Sequence, residues 1–122
     1  MKINDYKELI VWQKSMQLVE LIYKLTNQLP KEEIYGLSSQ ARRAAVSIPS
    51  NIAEGRRRGH RKEFIHFLLN SYGSGAELET QLEIMNRVHK LDKEVLTKAE
   101  GILEEVMKML NVMINKLTNP TS

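Results

Sequence analysis

Apolar residues recur every three or four positions over four long stretches of the chain, and nowhere do they alternate with polar ones. That period marks amphipathic helices and excludes half-buried strands. The first stretch runs from about residue 7 to 27. Leu9, Trp12, Met16, Val19 and Tyr23 share one helical face, and Ile10, Leu18, Leu21, Ile22 and Leu25 widen it. A face so broad implies burial against more than one neighbour. Leu29-Pro30 ends the segment, because the residue before a proline is pushed out of helical geometry.

A connector through Gly36 leads to a second helix over 37–54, with Ser38 or Ser39 as its expected cap and Gly55 as its expected stop. Its inner face reads Leu37, Ala41, Ala44, Ala45, Ile48 and Ile52, mostly alanine, so a neighbouring helix approaches closely. Pro49 removes a backbone donor and predicts a kink, with Ser47, Ser50 and Asn51 placed to satisfy the freed carbonyl. The third helix is the longest, 61–89, with a seam of Phe64, Phe67, Leu68, Ser71, Gly75, Leu78, Leu82, Met85 and His89. Gly73 and Gly75 interrupt it. Each costs about 1 kcal/mol relative to alanine, so a backbone or a large ring is expected close by, and Trp12 is the candidate. Asp92 caps a fourth helix over 93–117. Val95, Ala99, Ile102, Val106, Leu110, Met113 and Leu117 form its seam, flanked by Leu96, Leu103, Met107, Met109 and Ile114. Asn119-Pro120-Thr121-Ser122 reads as a frayed tail. Four amphipathic helices on short connectors predict an all-α fold: an antiparallel up-down-up-down four-helix bundle, one domain over 1–122, with a long third helix and a Pro-kinked second.

Composition narrows the setting. The 122 residues suit one domain, and 42% apolar with 27% charged residues is the balance of a soluble globular protein. The absence of cysteine removes disulfides, thiolate metal sites and thiol chemistry. No apolar run approaches the ~20 residues that span a bilayer, so no membrane partner is expected. Met1-Lys2-Ile3-Asn4-Asp5-Tyr6 lacks a signal-peptide core, which makes the cytoplasm the expected location.

Net charge is only +3, but its distribution is uneven. Residues 38–62 hold Arg42, Arg43, Arg56, Arg57, Arg58, Arg61 and Lys62 against the single acid Glu54, a balance of +6, while the other eleven bases and fourteen acids leave −3. Most of the basic charge falls on the expected turn between the second and third helices. One reading is a solvated turn whose arginines complement a negative helix end. The other is a phosphate-binding patch, because guanidinium groups match phosphate oxygens two at a time. Such contacts position a nucleic acid without identifying bases. The run has no aromatic residues interleaved, which disfavours a single-strand stacking platform. Arg42 lies at the flank of the alanine face and Arg43 on its far side, facing solvent or, with Val46, an oligomer interface.

Catalytic constellations are absent from the pattern. A ferritin-like di-metal site needs two Glu-x-x-His pairs. Only Glu63-Phe64-Ile65-His66 matches, and its histidine points away from the Phe64–Leu82 seam. His60 and His89 lack partners at metal-ligand spacing. Glu77, Glu79 and Glu83 read as surface ion-pair residues, and the six methionines as core filling. No nucleophile–base pair can be assembled and no cofactor is implied, so the expectation is a non-enzyme.

Three segments carry a family resemblance. Asp5-Tyr6-Lys7-Glu8-Leu9-Ile10-Val11-Trp12-Gln13 with Ile22-Tyr23, then Gly36 through Gly55 with its centre Gln40-Ala41-Arg42-Arg43-Ala44-Ala45-Val46-Ser47-Ile48-Pro49-Ser50-Asn51-Ile52-Ala53-Glu54, and then Gly73-Ser74-Gly75-Ala76-Glu77-Leu78-Glu79-Thr80-Gln81-Leu82. Together they resemble the bacterial four-helix-bundle proteins encoded in intervening sequences of 23S rRNA genes. The dense arginines at 56–58 depart from the looser basic stretch common in that family. The resemblance implies a ring of five subunits, no catalytic residues, and RNA or a ribonucleoprotein as partner. The family is similar in turn to the accessory protein of diversity-generating retroelements, a basic pentamer that binds a reverse transcriptase and nucleic acid. A protein-interaction scaffold without direct nucleic-acid binding is the alternative. The expected nucleic-acid contacts are Arg56, Arg57, Arg58, Arg61 and Lys62, with Arg42 and Arg43 second.

Overall fold

The computed structural model describes residues 5–119. Expectations about the leader at 1–4 and the tail at 120–122 lie outside the described residues. A 3-10 turn at Tyr6–Glu8 leads into α1, Ile10–Thr26, and a second such turn at Lys31–Glu33 into α2, Leu37–Arg58. Helices α3, Arg61–Val88, and α4, Lys93–Thr118, complete the order, and no strand occurs among the described residues. Each helix packs against its chain neighbours and α1 closes onto α4, which makes a four-helix bundle. Between α2 and α3 the contacts progress in opposite sequence directions: Ser47 meets Ser74, Ile48 meets Ser71, and Gly55 meets Phe67 and Phe64.

The alanine face of α2 is buried along its whole length, from Leu37 to Ile52. The seams of α3 and α4 are buried largely as their spacing predicts, with Ser74 and Gln81 added on α3. Helix α1 differs in phase. Its buried stripe is Val11, Ser15, Leu18, Ile22 and Leu25, whereas Trp12 and Val19 are half-buried and Met16 and Tyr23 are exposed. The apolar arc of α1 is wider than the arc its two neighbours can cover, so packing decides which stripe is central. The expected start at residue 7 also shifts, because Leu9 is extended (φ −70°, ψ 126°) and separates the 3-10 turn from the helix.

The two glycines of the basic segment exchange the roles that spacing suggests. Gly55 does not stop α2. It is buried inside the helix, where a Cβ would lie 2.6 Å from Phe67 Cβ and 3.1 Å from Phe64. The stop is Gly59, at φ 76°, the left-handed conformation that glycine alone adopts without strain. Helix α2 therefore extends one turn further, through Arg58. On α3, Gly75 makes room for the Met107 thioether of α4 and not for Trp12, while Gly73 faces open space. Trp12 instead packs edge-on against Tyr6, with ring centroids 5.4 Å apart.

Capping follows the same division. Asp92 Oδ1 accepts from the amides of Glu94 and Val95, as its position before α4 predicts. Neither Ser38 nor Ser39 caps α2. The N-cap is Gly36, and Glu33 Oε1 reaches forward to accept from Leu37 N at 3.4 Å. Pro49 is buried within α2. Around it, Asn51 Nδ2 donates to Ser47 O and Oγ, and Ser71 Oγ donates to the Ile48 carbonyl across the α2–α3 interface.

Candidate functional site

Because α2 continues to Arg58, its three consecutive arginines occupy a helical turn and point about 100° apart. They cannot form one flat patch by themselves. Each meets a different aromatic ring, two of them on α3 and one on the N-terminal 3-10 turn. Arg56 lies 5.8 Å from the Phe64 centroid, Arg57 lies 5.3 Å from Tyr6, and Arg58 lies 5.2 Å from Phe67. Interleaving missing from the local sequence is thus supplied by the N-terminal 3-10 turn and by α3. Cation–π contacts of this kind hold a guanidinium in place while leaving its N–H edge available.

Arg58 is the most constrained of the three. Its guanidinium donates to Glu54 at 2.8 Å and to Glu63 at 3.3 Å. Its hydrogen bond to the Glu54 carboxylate is the main cause that holds its pKa above the ordinary arginine value. Glu63 stands one residue beyond the segment that the charge count isolates. Including it, residues 54–63 carry five bases and two acids, a balance of +3. Arg57, Arg61 and Lys62 are exposed. Arg56 is half-buried, and its Nε is buried with no hydrogen-bond partner. His60 occupies the N-cap of α3 without capping it by its side chain.

The two remaining candidates lie elsewhere. Arg42 is a clamp between helices: Nε donates to Thr26 Oγ1 at 2.7 Å, an amine nitrogen donates to Asn27 Oδ1 at 2.9 Å, and the guanidinium sits 4.6 Å over Tyr23. Two of its five N–H donors are used within the bundle. Arg43 is exposed beside a cleft lined by Gln40, Ser47, Ser74, Glu77 and Gln81. Fourteen helical residues separate it from Arg57, about 20 Å at 1.5 Å per residue. The structure thus gathers Arg56, Arg57, Arg58, Arg61 and Lys62 at one end of the bundle and leaves Arg42 and Arg43 apart.

His66 of the Glu-x-x-His pair is exposed and meets only the edge of Phe67 among ring contacts. No cluster of three His, Asp or Glu side chains converges among the described residues. No described helix is long and apolar enough to cross a membrane. One polar link escapes sequence reasoning altogether. His89, at the C-cap of α3, bonds Glu33 at 2.8 Å across 56 residues. That bond, with the Leu37 amide, holds the Glu33 carboxyl below its ordinary range. The signal was a short acidic connector whose partner lies more than fifty residues away, which no local pattern reveals.

Comparison with known proteins adds two findings. The model of a family described as 23S rRNA-intervening sequence protein matches residues 7–112. The fold is similar to the crystal structure of a protein of unknown function from the S23 ribosomal protein family of Bacteroides thetaiotaomicron VPI-5482. That likeness has a TM-score of 0.77 at 25% identity and covers 86% of this chain and 98% of the other. A search of curated proteins gave no match.

Proposed function

The chain belongs to the 23S rRNA-intervening sequence protein family, and from that premise we propose that it is a non-catalytic, oligomeric RNA-binding protein of the cytoplasm. The observation that carries this reading is the bundle end formed by the last turn of α2 and the first of α3. Five bases fall within seven residues there, four of them arginines, and aromatic rings brace the three that belong to α2. Braced guanidinium groups suit phosphate oxygens and carry no base identity by themselves.

One such end is a weak electrostatic site. A pentameric ring repeats it five times around one rim, and multivalency raises its avidity without new contacts. Met16 and Tyr23 on α1, Val46 on α2, and Leu69, Tyr72, Ile84 and Val88 on α3 are exposed, and neighbouring copies would cover such surface. Structured RNA is the ligand we favour. The test is binding to a panel of RNAs and DNAs at low and moderate salt, with the assembly mass recorded on the same sample. Tight, salt-sensitive binding by an oligomer is expected. Absence of binding at low salt would end this reading.

The exposed apolar stripe of α3 supports a second one, a protein-interaction scaffold that binds no RNA directly. A partner whose capture survives nuclease treatment would favour it.

A further inference from the structure

We propose that the pocket between the end of α2 and the start of α3 seats a single unpaired nucleotide, its phosphate held by Arg56, His60 and Arg61; the inference rests on the RNA-binding reading above. The pocket is about 280 Å³, more than a phosphate alone fills. Its rim is cationic and its floor apolar. Arg56, His60 and Arg61 supply the donors and Phe64 and Leu117 the floor, while Gly55 and Gly59 add no side chain to the lining.

Three observations converge on an anion. Arg56 Nε is buried and has no partner. A buried donor left unsatisfied is costly, and most such groups in folded proteins find an acceptor. Helix α3 opens at the same place with no side-chain cap. Its first intrahelical bond runs from Phe64 N to His60 O, so the amides of Arg61, Lys62 and Glu63 have no acceptor within the helix. A 28-residue helix directs its positive end there. Finally, the basic residues sort themselves: Arg58 is occupied by Glu54 and Glu63, Arg57 lies against Tyr6, and neither lines the pocket. Arg56 and Arg61 alone of the five converge on it. A phosphate seated here would meet the guanidinium groups of Arg56 and Arg61 and the helix amides together, while a flat base fills the apolar remainder. The base must be unpaired, because a pocket closed by Phe64 and Leu117 does not admit a base within a duplex.

Two sources share this chemistry: a 5′ terminus, which offers the phosphate as a monoester, and an unpaired internal residue, which offers it as a diester. The test uses the full chain in its native assembly. Binding is read by fluorescence anisotropy on three 3′-labelled RNAs: a 5′-phosphorylated single strand, the same strand with a 5′ hydroxyl, and a hairpin with one bulged nucleotide. A nucleoside 5′-monophosphate serves as competitor. Arg56→Lys, which keeps the charge but loses Nε–H, and Arg61→Ala are each expected to weaken binding about tenfold and abolish the competition. Arg57→Ala, a charge control outside the pocket, is expected to leave the competition intact. Preference for the 5′ phosphate over the hydroxyl assigns the terminal source, and preference for the bulge assigns the internal one. Circular dichroism and assembly mass verify the fold of each variant, and exposed Arg61 keeps the test open if Arg56→Lys does not fold. If RNA binds but the monophosphate never competes and both variants bind as wild type, the pocket assignment falls while the RNA reading stands. If wild type binds no RNA at low salt, both fall.

Discussion

Glycine and arginine carry most of the information at the scale of single residues, and in both cases the side-chain environment decides what the residue does. Gly55 exists because Phe67 and Phe64 occupy the space of a Cβ. Gly55→Ala is expected to destabilise the fold by about 1–3 kcal/mol, as overpacking does. Gly101→Ala, where a Cβ meets nothing within 4 Å, is expected to stabilise by about 0.5–1 kcal/mol through helix propensity. Urea denaturation of the two variants beside wild type checks both signs. Arg42 is a base by composition and a structural clamp by contact. Arg42→Ala removes two hydrogen bonds and a ring contact, so a loss of about 1–2 kcal/mol in stability is expected. If Arg42→Ala changed RNA affinity without changing stability, the clamp would not be its main role.

Elements are held at their ends by residues distant in sequence. Glu33 caps α2 through the Leu37 amide and ties the connector to His89 at the end of α3. Both bonds favour its carboxylate, so its pKa in the folded protein lies below the ordinary value of 4.5. The sign follows from linkage. The folded state binds the proton less readily than the unfolded one, so the stabilisation is complete above the ordinary value and is lost as pH falls through the lowered one. Thermal unfolding of wild type and Glu33→Gln from pH 7 to pH 3 is expected to show a gap that closes towards the acid end. A gap independent of pH would contradict the linkage. The extension of α2 to Gly59 is a second effect at this scale. It turns an expected loop of arginines into a helical turn, and so distributes them among α1's leading turn, the bundle end and α3.

At the scale of the whole molecule, the bundle end concentrates charge that composition hides, and acids from the same end moderate it. Each phosphate contact contributes about 0.9 to the slope of log affinity against log salt for a duplex. Replacing Arg56, Arg57 and Arg58 together by alanine is expected to weaken RNA binding and flatten that slope by up to about 3. Arg58, already paired twice with carboxylates, is expected to contribute least. An unchanged slope would remove the three arginines from the interface.

The helices, the alanine face of α2, the seams of α3 and α4 and the cap at Asp92 were legible in the sequence, because period and capping are local properties of consecutive residues. The family resemblance was legible for the same reason, in the motifs of α1, α2 and α3. The central stripe of α1, the exchange of roles between Gly55 and Gly59, and the pairing of Gly75 with Met107 were not. Nor were the Glu33–His89 tie and the separation of Arg42 from the basic end. Each depends on which side chain another helix brings within a few ångströms. Periodicity fixes the face of a helix only to within the width of its apolar arc, and the neighbours that fill the remaining freedom enter with the tertiary structure alone.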